Sequence, residues 1–491
     1  MTSTKALELL STQVARDLDY IKYPIDKWVV PARHPTGQHV YDVAIVGGGQ
    51  SGMAIAFTLL RDRVDNIVVY DRRPRGFEGP WNTTARMLTL RTPKHLPGVD
   101  LGIPSLTPRA WFTAKYSATA WDSLDKISKE DWQEYLLWCR DTLDLPIRNL
   151  IDVTSIVPEG DVFRVAIRDC SLQNSDVPTQ YVLARHVVLA TGAEGSGDWE
   201  VPKFITEALP KHYYATTGDV FSFSKLKGKR VAVLGAGASA FDNASTALEH
   251  GASQTVVCIR RKEIQRINPQ VWMAKAGFLR HFGDLSDEWK CRFMEYLFSM
   301  NIPAPQSAYD RFSKLPGAAI RANAGWKSVR LVKGEKGDEV EITTEAGDHI
   351  RVDFLIAAVG FKIDFGLRPE LAKFSDKIAL WNDRITLPKS VPAVVGTYPH
   401  LGPTFELEEK IPGTAPYLRR IRNFTYGAMV SMGLSGSALS GLRISVPRLV
   451  SGITRDLFIE SAADQFKGLT AHSDLELVGP LDFRRTEAPA S

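Results

Sequence analysis

Two runs of small residues stand where phosphate chemistry would need them. Gly47-Gly48-Gly49-Gln50-Ser51-Gly52 follows directly on the apolar run Asp42-Val-Ala-Ile-Val46, and Met53–Leu60 then reads as a helix. The spacing is G-x-G-x-x-G between a strand and a helix. Gly47 permits a tight turn, Gly49 lets the backbone approach a pyrophosphate, and Gly52 lets the helix pack on the strand. Gln50 and Ser51 open the helix, where free N–H groups attract an anion. The next strand, Asn66-Ile-Val-Val-Tyr70, ends in Asp71-Arg72. An acid about twenty residues beyond the glycines suits the hydroxyls of an adenosine ribose, and Arg72 beside it is a further contact. The second run, Gly235-Ala236-Gly237-Ala238-Ser239-Ala240, follows the strand Lys229–Leu234 and precedes a helix from Phe241 to Glu249. Here the following strand, Gln254–Ile259, ends in Arg260-Arg261-Lys262 and not in an acid. Guanidinium groups at that position favour a 2′-phosphate.

Two dinucleotide sites in one chain imply a tightly held flavin and an exchangeable nicotinamide. The expectation is FAD on the first turn and NADPH on the second. Other elements must bring the two turns together. Ala190-Thr191-Gly192 and Ala358-Val359-Gly360 each end an apolar strand and fit the points where the chain returns between two folds. Ile127–Leu143 reads as an amphipathic helix, with Ser128 to Asp131 resembling its N-terminal cap. Residues 160–192 read as strands, 261–325 as helix-rich and irregular, and 327–352 as a hairpin around Lys333–Gly337. The expected fold class is α/β, with two Rossmann-like domains and the NADPH domain inserted into the FAD domain. The expected division is a leader at 1–40, a first FAD part at 41–222, the NADPH domain at 223–345, a second FAD part at 346–455 and a loose tail at 456–491.

Composition narrows the function further. The 491 residues are 44% hydrophobic and 24% charged, a globular balance. Lys and Arg number 60 against 56 Asp and Glu, a net charge of +4. Spread over this length, that is no nucleic-acid footprint. The 4 cysteines, Cys139, Cys170, Cys258 and Cys291, are far apart and form no CxxC. That argues against a redox dithiol and for reduced thiols in the cytoplasm. No signal peptide and no membrane-length apolar run is read. Histidines lack metal spacing and no paired-carboxylate set is seen, so no metal is expected.

The arrangement resembles the flavoproteins with two dinucleotide-binding domains, among them flavin-containing monooxygenases, Baeyer–Villiger enzymes and amine N-hydroxylases. Gly79-Pro-Trp81 stands where these families often carry G-G-T-W. Arg91-Thr-Pro-Lys94 resembles the N-T-P-K stretch of flavin-containing monooxygenases, with Arg91 in place of an Asn that helps hold the oxygenated flavin. Lys129–Arg140 is similar to a helix of the ornithine and lysine N-hydroxylases. Gly433–Ser440 is similar to their C-terminal stretch against the flavin, with Met432 and Gly436 replacing a His and an Asp. The resemblance implies Gln50, Trp81 and Arg91 at the reacting centre. It also implies Gly433, Ser435 and Ser437 at the flavin ring, with Thr191, Gly192 and Gly360 at the returning strand ends.

What it implies chemically is an NADPH-dependent monooxygenase. Reduced flavin would take up dioxygen at its C4a carbon, and one oxygen atom would enter a small organic substrate at nitrogen, sulfur or ring carbon. The layout is also similar to the flavin-dependent urate hydroxylase group, which implies a planar, nitrogen-rich acid as substrate, with Arg91, Lys94 and His95 as donors. The alternatives are an NADPH:acceptor reductase without oxygen insertion and a slow flavin sensor. The aromatic stretch Trp111–Trp121 either lines the substrate cavity or belongs to the core. Partners would be a small molecule and dioxygen, with no nucleic acid and no membrane; a homo-oligomer is left open.

Overall fold

The structure is a computed structural model that describes residues 3–22, 25–95, 98–172, 179–334, 337–434 and 438–479. Val40–Val46 is apolar almost throughout and buried, as a strand covered on both faces must be. It pairs in parallel with Ile67–Tyr70 on one side and Gln180–Leu189 on the other. Ile147–Arg148 extends this sheet at one edge, and the antiparallel pair Val162–Asp169 and Ile151–Glu159 at the other. The strand Gln180–Leu189 divides its pairing. Its first half binds Val162–Asp169, while its last residues take the short parallel strand Ile421–Asn423. The chain therefore comes back to the first sheet late, and the Phe424 N–H donates to the Leu189 carbonyl at 2.9 Å.

The second sheet has five strands, all parallel. Their order is Ala318–Arg321, Gln254–Cys258, Arg230–Leu234, Phe354–Ala357 and Tyr214–Thr216. Phe354–Ala357 is buried throughout and needs a neighbour on each side, which Arg230–Leu234 and Tyr214–Thr216 supply. This sheet thus reaches beyond the 223–345 range expected for the NADPH domain, at both ends. The shift is understandable, since three or four apolar residues are too short a run to assign to one sheet or the other from sequence. Both connections between the two sheets run side by side as an antiparallel ribbon, Gly197–Trp199 against Phe361–Ile363.

Helices cover the sheets as expected. Gln50–Arg61 buries eight consecutive residues, Gly52 to Leu59. Ala238–Glu249 buries nearly all of its length against the second sheet. Lys129–Thr142 starts at Ser128, whose Oγ accepts from the Asp131 N–H at 2.9 Å and donates to the Asp131 carboxylate at 2.8 Å. The leading helix is Ser3–Tyr20. Near the other end, Leu442–Glu460 is a single helix that buries Leu457. Its Asp456 accepts from buried Arg422 at 2.6 Å, so packing continues past the expected boundary at 455. The expected loose tail falls in part beyond the described residues. So does the tip of the hairpin formed by Trp326–Gly334 and Gly337–Thr344.

Candidate functional site

The two glycine turns repeat one construction. In each, the residue after the returning strand donates to the last residue of the opening strand: Ala190 N–H to the Val46 carbonyl at 2.8 Å, and Ala358 N–H to the Leu234 carbonyl at 2.9 Å. In each, the first glycine takes a positive φ, +106° at Gly47 and +145° at Gly235. A side chain there would also press into the carbonyl of Ala190 or Ala358. Gly52 is likewise confined, by the Gly47 carbonyl. Gly49 and Gly237 differ. A Cβ at Gly49 would meet nothing nearer than 3.7 Å, and at Gly237 nothing nearer than 3.9 Å. The protein itself does not require glycine at these two places. Both lie at helix N-termini, where N–H groups are free for an anion.

Both turns open into one cavity of about 2540 Å³. A drug-sized ligand site is roughly 300–1,000 Å³, so this space suits two dinucleotides and a small molecule. Gly47, Gly49, Gln50 and Ser51 line it at one end, with Asp71, Arg72, Thr191 and Gly192. Gly235, Gly237, Ala238, Ser239, Arg260 and Arg261 line it at the other, and Trp81, Arg91, Gly360 and Gly433 stand between. Gly52 and Ala240 lie within the helices, behind the lining. Ser435 and Ser437 lie outside the described residues.

The polar groups of the first turn are partly committed. Asp71 accepts from the Gly48 and Arg73 N–H groups, each at 2.8 Å. Burial raises its pKa, and those two bonds pull it partly back. Two carboxylate oxygens hold about four lone-pair sites, which leaves capacity for ribose hydroxyls. Thr191 Oγ has no partner among the described residues although the atom is buried. An orphan hydroxyl beside an open glycine cradle fits a bound dinucleotide. Gln50 is held by Trp132, whose Nε1 donates to its Oε1 at 3.2 Å. Trp132 in turn meets Trp81 edge-on at 6.3 Å. Arg72 pairs with Glu194 at 3.1 Å.

The expected arginines divide by role. Arg260 makes no hydrogen bond or ion pair among the described residues. Arg261 caps the helix Asp287–Met300, its Nη2 donating to the Ser299 carbonyl at 2.8 Å. Arg91 is not free to act on a flavin alone. It pairs at 3.2 Å with Asp242, on the helix that follows the second glycine turn. Burial raises the Asp242 pKa and Arg91 lowers it in part. Arg311 lies 3.6 Å from the same carboxylate and donates to the Arg86 carbonyl at 2.7 Å. These contacts tie the two folds across the cavity. No pattern within 151 residues of sequence separation could have shown the Arg91–Asp242 pair.

Lys94 is corrected outright as a substrate donor. Its ammonium is filled by the carbonyls of Trp121, Asp122 and Leu124 at 2.6, 3.2 and 2.6 Å. His95 does line the cavity. In the stretch Trp111–Trp121 the rings of Trp111, Phe112 and Trp121 are buried core while Tyr116 is exposed, and none of the four lines the cavity. The irregular stretch after residue 261, by contrast, lines much of the second end. Among the described residues no cluster of His, Cys, Asp or Glu could hold a metal ion, and no helix is long and apolar enough to cross a membrane. The four cysteines are free thiols.

Comparison with known proteins follows this geometry. Residues 44–277 match the pyridine nucleotide-disulphide oxidoreductase family. The chain is 41% identical, over 96% of its length and 98% of the relative's, to the FAD-dependent urate hydroxylase of Xanthomonas campestris pv. campestris. Two solved structures share the fold. The ornithine hydroxylase of Pseudomonas aeruginosa matches at TM-score 0.64 and 14% identity, over 85% of this chain and 100% of that one. The ornithine N-hydroxylase of Kutzneria sp. 744 matches at TM-score 0.64 and 17% identity, over 85% and 99%.

Proposed function

The chain belongs to the family of the FAD-dependent urate hydroxylase, and from that premise we propose an NADPH-dependent flavoprotein monooxygenase that hydroxylates urate. It acts as a soluble cytoplasmic enzyme on a small molecule and dioxygen. The observation that carries the reading is the single cavity onto which both glycine turns open. It lets a nicotinamide bound at one turn meet a flavin bound at the other. The balance is urate, dioxygen, NADPH and a proton going to hydroxylated urate, water and NADP. Bound FAD supplies the hydride acceptance and the activation of dioxygen.

The chain's residues do the binding and the orienting. Backbone N–H groups at Gly49–Ser51 and at Gly237–Ser239 hold the two pyrophosphates. Asp71 takes the flavin ribose, and Arg260 takes the 2′-phosphate of NADPH. Gln50, held through its Oε1 by Trp132, has its amide N–H left for a ligand in the cavity that it and Trp81 line. The Arg91–Asp242 pair keeps the second fold docked against the first. Without a dithiol, the disulfide-reductase route offered by the wider fold has no redox partner here.

The test is stoichiometry in the purified flavoprotein. With urate present, NADPH, dioxygen and urate should disappear in equal amounts, with little peroxide released. Oxidation of NADPH that ignores urate, with dioxygen recovered as peroxide, would leave an acceptor reductase and refute the proposal.

A further inference from the structure

Five aromatic rings form one continuous wall of the cavity. Trp199 packs on Phe361 at 4.3 Å between ring centroids, Phe361 on Tyr426 at 5.6 Å, Tyr426 on Tyr398 at 6.2 Å, and Tyr398 on Phe298 at 5.7 Å. All five line the cavity. The wall starts at the ribbon that joins the two folds, where Trp199 and Phe361 are paired residues. Tyr426 lies just past the strand Ile421–Asn423, at the carboxyl ends of the first sheet. Phe361 lies just past the carboxyl end of a strand of the second. Ligands of open parallel sheets bind at such ends.

The wall is apolar except at its centre. Trp199 spends its Nε1–H on Glu194 at 2.6 Å. The Tyr398 and Tyr426 phenols stand side by side as a pair, on rings whose centroids are 6.2 Å apart. Burial pushes both phenols up, so both stay protonated and neither serves as a base. Either phenol can donate to the other, and apart from Tyr398 no protein group among the described residues bonds to the Tyr426 hydroxyl, so a ligand that accepts the Tyr426 proton sets Tyr398 as the donor of the pair. Tyr398 is buried, whereas Tyr426 is partly open to the cavity.

We infer that the Tyr426 hydroxyl is the positioning donor for the substrate, with Tyr398 orienting it, and that the wall takes a planar ring carrying oxygen acceptors. The inference deepens the urate reading and rests on it. Urate meets both demands, offering flat faces to the rings and carbonyl or anionic oxygens to the phenol. A phenol donating to an anionic oxygen makes the stronger class of hydrogen bond.

The experiment is titration of urate into the oxidised FAD-loaded protein, without NADPH, read as a perturbation of the flavin spectrum. Tyr426→Phe should weaken urate binding by about tenfold to a hundredfold. Tyr398→Phe keeps the Tyr426 proton but frees it to rotate, and should cost several-fold. Both variants should bind 2′,5′-ADP, a probe of the second glycine turn, as the wild type does. This separates positioning from a general loss of structure. Urate affinity unchanged in Tyr426→Phe would overturn the inference while leaving the urate reading intact. Should Tyr426→Phe fail to retain FAD, unchanged affinity in Tyr398→Phe would overturn it instead. A wild-type protein that gives no response to urate would refute the substrate reading, and this inference with it.

Discussion

Gly237→Ala separates what the fold needs from what the ligand needs. Gly237 has φ −81° and ψ 174°, an extended conformation open to any residue, and caps the helix Ala238–Glu249. An added Cβ meets only the Ile302 carbonyl, at 3.9 Å. The stability cost is therefore that of a poorer N-cap, about 1 kcal/mol or less. The same methyl points into the space a pyrophosphate must enter. Losing one charge-assisted N–H contact costs about 1.5–3 kcal/mol, or about 10- to 100-fold in Kd. The assay is calorimetric titration of NADP into the FAD-loaded variant, beside its thermal transition and FAD content. Gly235→Ala is the contrast. Its φ of +145° and the adjacent Ala358 carbonyl leave no room, so the second fold itself should fail. Wild-type NADP affinity in Gly237→Ala would refute the reasoning, as would a collapse of its thermal transition.

Two further outcomes follow from partners already described. Arg260→Ser should weaken 2′,5′-ADP by about tenfold or more, as removal of a charged contact does, and leave 5′-ADP nearly unaffected; equal losses for both ligands would deny the 2′-phosphate role. His400 bonds to Glu408 at 2.8 Å and Asp287 at 3.1 Å. Burial lowers its pKa, but the two carboxylates outweigh this and the net shift is upward from 6.5. A group raised in the folded state gives its full stability below its unfolded value and loses it as pH rises through the folded one. The difference in Tm between wild type and His400→Gln should thus be widest below about pH 6.5 and shrink above it. A difference independent of pH would deny the charge.

The glycine turns were legible because their constraint is local. A carbonyl and a positive φ at Gly47 leave one residue type, and the neighbouring strands announce the setting. The Ser128 cap was legible for the same reason, being satisfied within three residues. Arg91 and Lys94 were not. Both lie in a stretch that resembles a flavin contact, yet their partners come from Asp242 and from carbonyls near Trp121. A guanidinium or ammonium reaches whatever acceptor the tertiary fold brings, and sequence spacing does not record it. Tyr398 and Tyr426 carried no signal either, since each is an ordinary aromatic until the ribbon and the late return of the chain set them side by side. The extent of the second sheet was blurred because Tyr214–Thr216 and Phe354–Ala357 are short apolar runs that either sheet could have claimed.

The ribbon between the folds has an evolutionary consequence. Asp198 faces Lys362 across it, and Trp199 faces Phe361, so the inserted fold leaves and re-enters its host through adjacent residues. A segment whose two ends already touch can be gained, lost or exchanged without opening the host sheet. The same chain architecture can then keep one flavin fold while trading the partner that feeds it electrons. Replacing the segment between the two ribbon strands with a fold reading another nucleotide would remove Phe298 from the aromatic wall, Asp242 and Arg311 from the cross-cavity contacts and Asp287 from His400, so the incoming fold would have to restore those contacts.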